Sequence, residues 1–293
     1  MKPLAALMLG MVAVPAAASV QTPAPADNRA IVVQGIRDPR HSADNYIDKV
    51  LPPVFDAQLG RFEEPLCAGT VGLPDQLKSE VLSRISLVAT TAGIPLAAAG
   101  CKPNLLVVVV DDKKALIEGM REKKQAYLYG IGDDRVKQLE NAPGPVAAWQ
   151  VSDVIGADGM PLRVDGNGYP RLFTTLPPSR VRSTTRKRLI GSVIVVEQRG
   201  LVDVSTRQLA DFALVRAMAP IEPRQRAAPT ASVLSLFDGG LKPVDAPQSV
   251  TWWDLAFLKA LFATRSDLAS NLQRHEIRDR MLSEMAKVPS SAQ

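Results

Sequence analysis

The sequence predicts a mixed α/β (α+β) fold: a mixed sheet with a β-α-β opening and a central helix buried against it. Three observations carry that expectation. Leu105 to Val110 are six consecutive apolar residues between Asn104 and Asp111, the pattern of a strand covered on both faces. Before them, Pro74 to Ala92 place Leu77, Val81, Ile85, Val88 and Ala92 on one helical face, with Pro74 in the first turn and Gly93 as the stop. A second β-branched run, Ser192 to Val196, leads through a short connection into Leu209 to Ala219, where only Asp211 and Arg216 are charged. A helix apolar nearly all round is a buried one. Ser205 caps it, Gln208 completes a capping box, and Val204 and Leu209 stand at the positions of a hydrophobic staple.

The other elements follow in order. The opening MKPLAALMLGMVAVPAAAS has one early Lys, a short apolar run and Ala16-Ala17-Ala18. That pattern predicts a secretory signal over residues 1–18, cut after Ala18. The run is short for a span and broken by Pro15, and no later segment approaches span length. The expectation is a soluble chain exported to a bacterial periplasm, with no membrane span after cleavage. Residues 19–60 read as an N-terminal arm. It holds a Pro- and Ala-rich stretch, a short strand at Ile31 to Gln34, and a helix from Ser42 to Leu51 that Ser42 caps and Pro52-Pro53 ends. Residues 61–286 read as a single mixed domain and 287–293 as a disordered tail. Within the domain, Arg61 to Cys67 supplies the first strand of the β-α-β opening. Lys113 to Lys124 and Asp133 to Glu140 are short charged helices, Pro145 to Ser152 is a strand, and Asp158-Gly159 is a hairpin signal. Val250 to Phe262 is a helix capped by Thr251 with Asp254 at its third position, and Ser266 to Ala286 is the last helix.

A hydrophobic content of 46% supports a real core, and a net charge of +5 is too mild an excess to imply a nucleic-acid partner. Cys67 and Cys101, the only cysteines, survive cleavage, and in an oxidising compartment they pair. A loop of this length adds roughly 3–4 kcal/mol in the chain-entropy view. Two cysteines without clustered histidines make a poor zinc site.

The chemistry available is narrow. His41 and His275 are the only histidines, so a three-His zinc site is excluded. His275-Glu276 with Asp279 has a ligand-like spacing, but Arg274, Arg278 and Arg280 oppose a cation there. His41 reads as a surface residue. Asp111 and Asp112 either hold a ligand or cap the next helix. Tyr127 and Tyr129 either line a groove or pack. Asp165 to Gly168 resembles part of a calcium loop but lacks its closing Glu, and reads as a turn. Arg180, Arg182, Arg186, Lys187 and Arg188 form a basic run with no acid inside it. It fits a solvated edge strand protected by charge, or a site for an anionic partner such as envelope-lipid phosphates. It lacks the aromatic interleaving that single-stranded nucleic acid asks for. No Gly-rich phosphate loop occurs, and catalysis by paired carboxylates stays open.

Three features together resemble a known plan: the opening that ends in PNLLVVVVDD, SVIVVEQ running into STRQLADFALVRAM, and the pair SVLSLFD and SVTWWDLAFLKALF. Over about three-quarters of the chain they look like uncharacterised exported proteobacterial proteins with a degenerate, metal-less zincin-like (metzincin-like) plan. Val250 stands where the plan has a Leu before Thr251 and Asp254. The resemblance implies a zincin-like scaffold. Laid on the zincin helix, Arg207 and Gln208 fall at the His-Glu pair and Asp211 at the second His, while Leu214 and Ala217 take the metzincin Gly and third His. None is a His, and a neutral amide at Gln208 is no general base. Arg207 and Asp211, at i and i+4, read as a solvated ion pair worth a few tenths of a kcal/mol.

The sequence thus predicts a non-catalytic binding or structural protein of the envelope, with no metal or cofactor and with an envelope protein or anionic surface as partner. The alternatives are a hydrolase with an unrecognised site and an anionic-surface binder that uses the 180–188 run.

Overall fold

The computed structural model describes residues 38–51, 58–123, 126–174, 177, 179, 181–219, 232–238 and 242–287. The signal segment, the Ile31 to Gln34 strand, Arg180, the 220–229 connection and the tail beyond residue 287 lie outside them.

The first helix, α1 (Pro39–Val50), starts three residues before the Ser42 cap expected from the sequence. Asp38 takes the cap instead, its side chain accepting from His41 N at 3.1 Å, and Pro39 fits the first helical position because no backbone partner waits for its nitrogen there. Arg61 to Cys67 is not one strand. Arg61–Phe62 pair with β7 as β1, Leu66 makes a separate bridge to Leu96, and Pro65, which has no N–H to donate, lies in the break between them. The strand of the opening is β2 (Ala68–Val71), after the cysteine. Then come α2 (Asp75–Thr91), β3 (Leu105–Val110), α3 (Lys113–Glu122) and α4 (Asp133–Glu140). Asp112 caps α3, accepting from Ala115 N at 3.0 Å. The long β4 (Val146–Gly156) is followed by an excursion carrying β5 (Arg163–Val164) and β6 (Pro170–Arg171), and the chain returns through β7 (Thr185–Glu197). The buried helix α5 (Thr206–Met218), a 3₁₀ turn at Val233–Phe237, α6 (Trp252–Ala263) and α7 (Ser270–Ala286) complete the described chain. The last helix begins at Ser270 rather than Ser266.

The fold class is the one the sequence implies: a mixed α/β structure with a mainly parallel sheet. β7 is its axis. Arg188–Leu189 pair in parallel with β1, Ser192–Glu197 pair in parallel with β3, and β2 lies parallel outside β3. β4 runs antiparallel along the other edge of β7, with a register shift between Val151 and Ser152. Side chains alternate across a sheet, and both faces are covered. Leu105, Val107, Ala148, Ile194 and Val196 pack with buried residues of α1, α2, α5, α6 and α7. Val108, Ala147, Trp149, Val151, Val193 and Val195 pack with Ile117, Leu128, Val136 and Leu139. Each Val, Leu or Ile among these contributes roughly 1.5–3 kcal/mol by leaving water. Double coverage is why β3 and β7 read as unbroken apolar runs.

The disulfide forms. Cys67 and Cys101, 34 residues apart, join the start of β2 to the turn before β3, with Cα atoms 6.1 Å apart. Asn104 reinforces the junction, accepting from Cys67 N at 2.8 Å and donating to Pro65 O at 3.0 Å.

Candidate functional site

The capping box of α5 forms: Gln208 N donates to Ser205 Oγ and Ser205 N donates to Gln208 Oε1, each at 3.1 Å. The remaining half of the buried amide, Nε2, donates to Pro243 O at 2.9 Å. Gln208 is thus a tie between the helix and the 242–248 loop. At the other end of α5, Gln150 Nε2 and Ser192 Oγ both donate to Ala217 O, at 2.6 and 2.9 Å, and fix the helix to the sheet.

One turn into α5, the expected solvated Arg207–Asp211 pair is corrected. The Asp211 side chain has no solvent exposure, and its ion-pair partner is the equally buried Arg84 of α2. Arg84 Nε donates to Oδ1 at 2.7 Å and Nη2 to Oδ2 at 2.8 Å. The Val250 amide donates to Oδ2 as well. Burial pushes the Asp211 carboxyl above its ordinary range, and Arg84 and the Val250 amide draw it back. A forked guanidinium meeting both oxygens is the strong geometry for such a pair. The pair costs its desolvation, and removing one partner strands a buried charge. Arg207 sits half-buried in the first turn of the same helix.

Asp254, third residue of α6, makes a second buried carboxylate whose charge acts on Asp211. Tyr46 OH donates to its Oδ1 at 2.7 Å, and Ser232 Oγ donates to the same oxygen. The amides of Val233 and Thr251 donate to Oδ2 at 3.0 and 2.9 Å. Thr251 Oγ1 accepts from Asp254 N, which makes α6 start with a reciprocal box. Burial raises the Asp254 carboxyl, against the pull of the Ser232, Val233, Thr251 and Tyr46 hydrogen bonds. Burial likewise raises the Tyr46 phenol, helped by Asp254. Donors engage both oxygens of each carboxylate, so the cluster joins α1, α2, α5 and α6 through the core without offering an atom to substrate or metal.

The other residues singled out in the sequence are scattered. Among the described residues of the basic run, Arg186 pairs with Glu63 at 2.9 Å and Arg188 with Asp153 at 3.1 Å. Arg182 is exposed and its backbone bridges Leu268. Lys187 is half-buried. Arg186 to Arg188 lie in β7. At Arg186 and Lys187 the run does border the sheet on one side, where β7 has only β4 as a neighbour, and from Arg188 it is flanked on both sides. His41 and His275 are exposed on different helices. Asp165 accepts from Asn167 N and Tyr169 N and pairs with Arg171 at 2.8 Å, so the calcium-like segment is a β5–β6 turn. Tyr127 packs, with its hydroxyl on Pro103 O, while Tyr129 is 75% exposed. Among the described residues no three His, Cys, Asp or Glu side chains are grouped to hold a metal ion.

Arg84, Tyr46 and Ser232 were not anticipated. The signal for Arg84 was present: it stands in the same stripe as Val81, Ile85 and Val88, one charge in an apolar face. Tyr46 lies likewise in the Ala43, Ile47, Val50 stripe of α1.

Two open grooves border α7, of about 520 Å³ near Leu268 and Leu272 and about 430 Å³ beside Gly93 and Lys259. Neither reaches Asp211 or Asp254. Among the described residues no helix is long and apolar enough to cross a membrane. The chain matches no family model, no curated protein and no solved structure.

Proposed function

We propose that this is an exported periplasmic protein that acts by binding or as a structural part of the envelope. In this reading its scaffold is zincin-like and its helix has given up the metal. The observation that carries it is the state of Asp211. At the place of the second zinc ligand stands a carboxylate whose two oxygens are committed to Arg84 and the Val250 amide inside a closed core. Gln208, at the place of the activating Glu, spends both ends of its amide on Ser205 and Pro243. The order β2, α2, β3, then β7 running into α5, with the boxed start of α6 behind it, supports the scaffold.

The test is the metal content and processing of the protein purified from its host without chelator or affinity tag. The expected result is a chain starting at Ser19, released with the periplasmic contents, carrying no stoichiometric metal. Zinc near one atom per chain would overturn the non-catalytic reading and direct a protease assay. An unprocessed chain in the cytoplasm would overturn the location.

A further inference from the structure

We propose that the excursion between β4 and β7 is an arm that docks on an anionic lipid surface. This deepens the binding reading above and rests on it. Six of the fourteen large apolar residues exposed among the described residues fall between Val154 and Val181. Met160, Val164, Tyr169 and Phe173 are each more than three-fifths exposed. Their arrangement is specific. Val164 pairs with Pro170 across the β5–β6 ribbon and so shares one face with it, while Arg163 and Arg171 pair on the other. Tyr169 and Phe173, two residues either side of Arg171, continue that second face, and the Arg163 guanidinium lies 5.6 Å from the centre of the Phe173 ring. A two-stranded ribbon is marginal in water by itself, and this one turns apolar side chains outward on both faces. A rigid protein surface would cover one face. A lipid interface flows around both, with aromatic rings at headgroup level and arginine stems lying along the apolar boundary.

The charge points to the sign of that interface. Residues 157–188 hold seven cations and two acids in sequence, and because Arg186 and Arg188 are paired outside the arm, with Glu63 and Asp153, the excess among the described residues rests on Arg163, Arg182 and Lys187. Both acids are engaged: Asp165 by Arg171, and Asp158 by Met160 N and Thr174 Oγ1. At the base of the arm Ala157 N donates to Thr184 O, and the Arg186 guanidinium lies against Gly159. Arg186, held by Glu63, thus joins the root of the arm to β7, while Lys187 alternates to the other face of that strand, beside Gly60. The same charge opposes a second copy of the chain. Cations beside an anionic leaflet bind it, and added salt weakens the attraction.

The experiment is flotation of the host-processed protein with vesicles of phosphatidylcholine alone or mixed with phosphatidylglycerol. Parent, Arg163→Gln and Tyr169→Ser/Phe173→Ser proteins are compared after thermal melts show equal folding. The expected result is binding to the anionic vesicles only, weakened by salt, about fivefold weaker for Arg163→Gln and at least about tenfold weaker for the double variant. Equal binding by all three proteins, or to both vesicle types, would overturn the proposal. So would a parent that ignores vesicles but is retained on immobilised polyglutamate, which would assign the arm to an acidic polypeptide. A dimer lost in the double variant, without vesicle binding, would assign it to a second copy. A zinc-loaded protein that still floats overturns the non-catalytic reading alone. A metal-free one that does not float overturns this one alone.

Discussion

Arg84 and Asp211 show how one residue's meaning depends on partners far away in the chain. Each was read, or passed over, as a solvated charge on a helix, yet together they form a forked ion pair with no exposure. Such a pair gains little over an apolar pair of the same shape, but a lone survivor is costly. Arg84→Met is expected to destabilise the fold by about 3–5 kcal/mol, and Asp211→Leu by a similar amount. The double variant should lose clearly less than the sum, because no buried charge is left without its partner. Urea unfolding of the four proteins in the cycle measures this. Additive losses would mean the two groups do not act as a pair.

At the scale of elements, backbone space decides. Gly72, just after β2, has φ +83°, and an added Cβ would stand 1.9 Å from Val109 O, a backbone atom of β3. Gly100, near Cys101, has φ +81° and open space around the same position. Gly100→Ala is expected to cost about 1–2 kcal/mol, the penalty of the left-handed backbone alone. Gly72→Ala should cost roughly 3 kcal/mol or more, since β2 must also move away from β3. Chemical unfolding of both variants checks the order, and equal losses would contradict the close approach. The elements themselves were legible wherever the signal was local. The capping boxes at Ser205 and Thr251, the stop at Gly93 and the apolar runs of β3 and β7 each depend on residues within one turn or one strand. Failures came where a distant partner decides. β1 is short because only Arg61 and Phe62 find β7, and nothing within the basic run reveals that β4 pairs along it or that β1 closes its open side from Arg188 on. The start of α1 was local and still misread: Asp38-Pro39 outranks Ser42 as a cap.

For the whole molecule, Asp254 is the point where the first and last parts of the chain meet. Its carboxyl lies in the core, and burial raises its affinity for a proton above that of the unfolded chain, whose ordinary value is 3.8. The folded state therefore holds this proton to higher pH than the unfolded state does. Its contribution is largest on the acid side and falls as pH rises through the window above 3.8. Asp254→Asn suits the site if its amide nitrogen takes the Oδ1 place, because the Tyr46 and Ser232 hydroxyls can turn to accept. That variant is expected to lose Asp254's share of the downward slope of stability above pH 3.8, while the likewise raised Asp211 keeps its own. Unfolding free energies across that range measure it, and an unchanged slope would exclude Asp254 as the source. The same geography governs the order of events when the chain is made. α1 rests on the other end of the sequence: Asp48 and Leu51 O meet Arg274, and Asp44 meets Arg278. A ribosome adding about 5–20 residues per second delivers the last helix roughly ten to fifty seconds after the first. For that interval Tyr46 and its neighbours have no surface to rest on. In the exported reading proposed above, this delay keeps the chain unlatched until its final helix arrives.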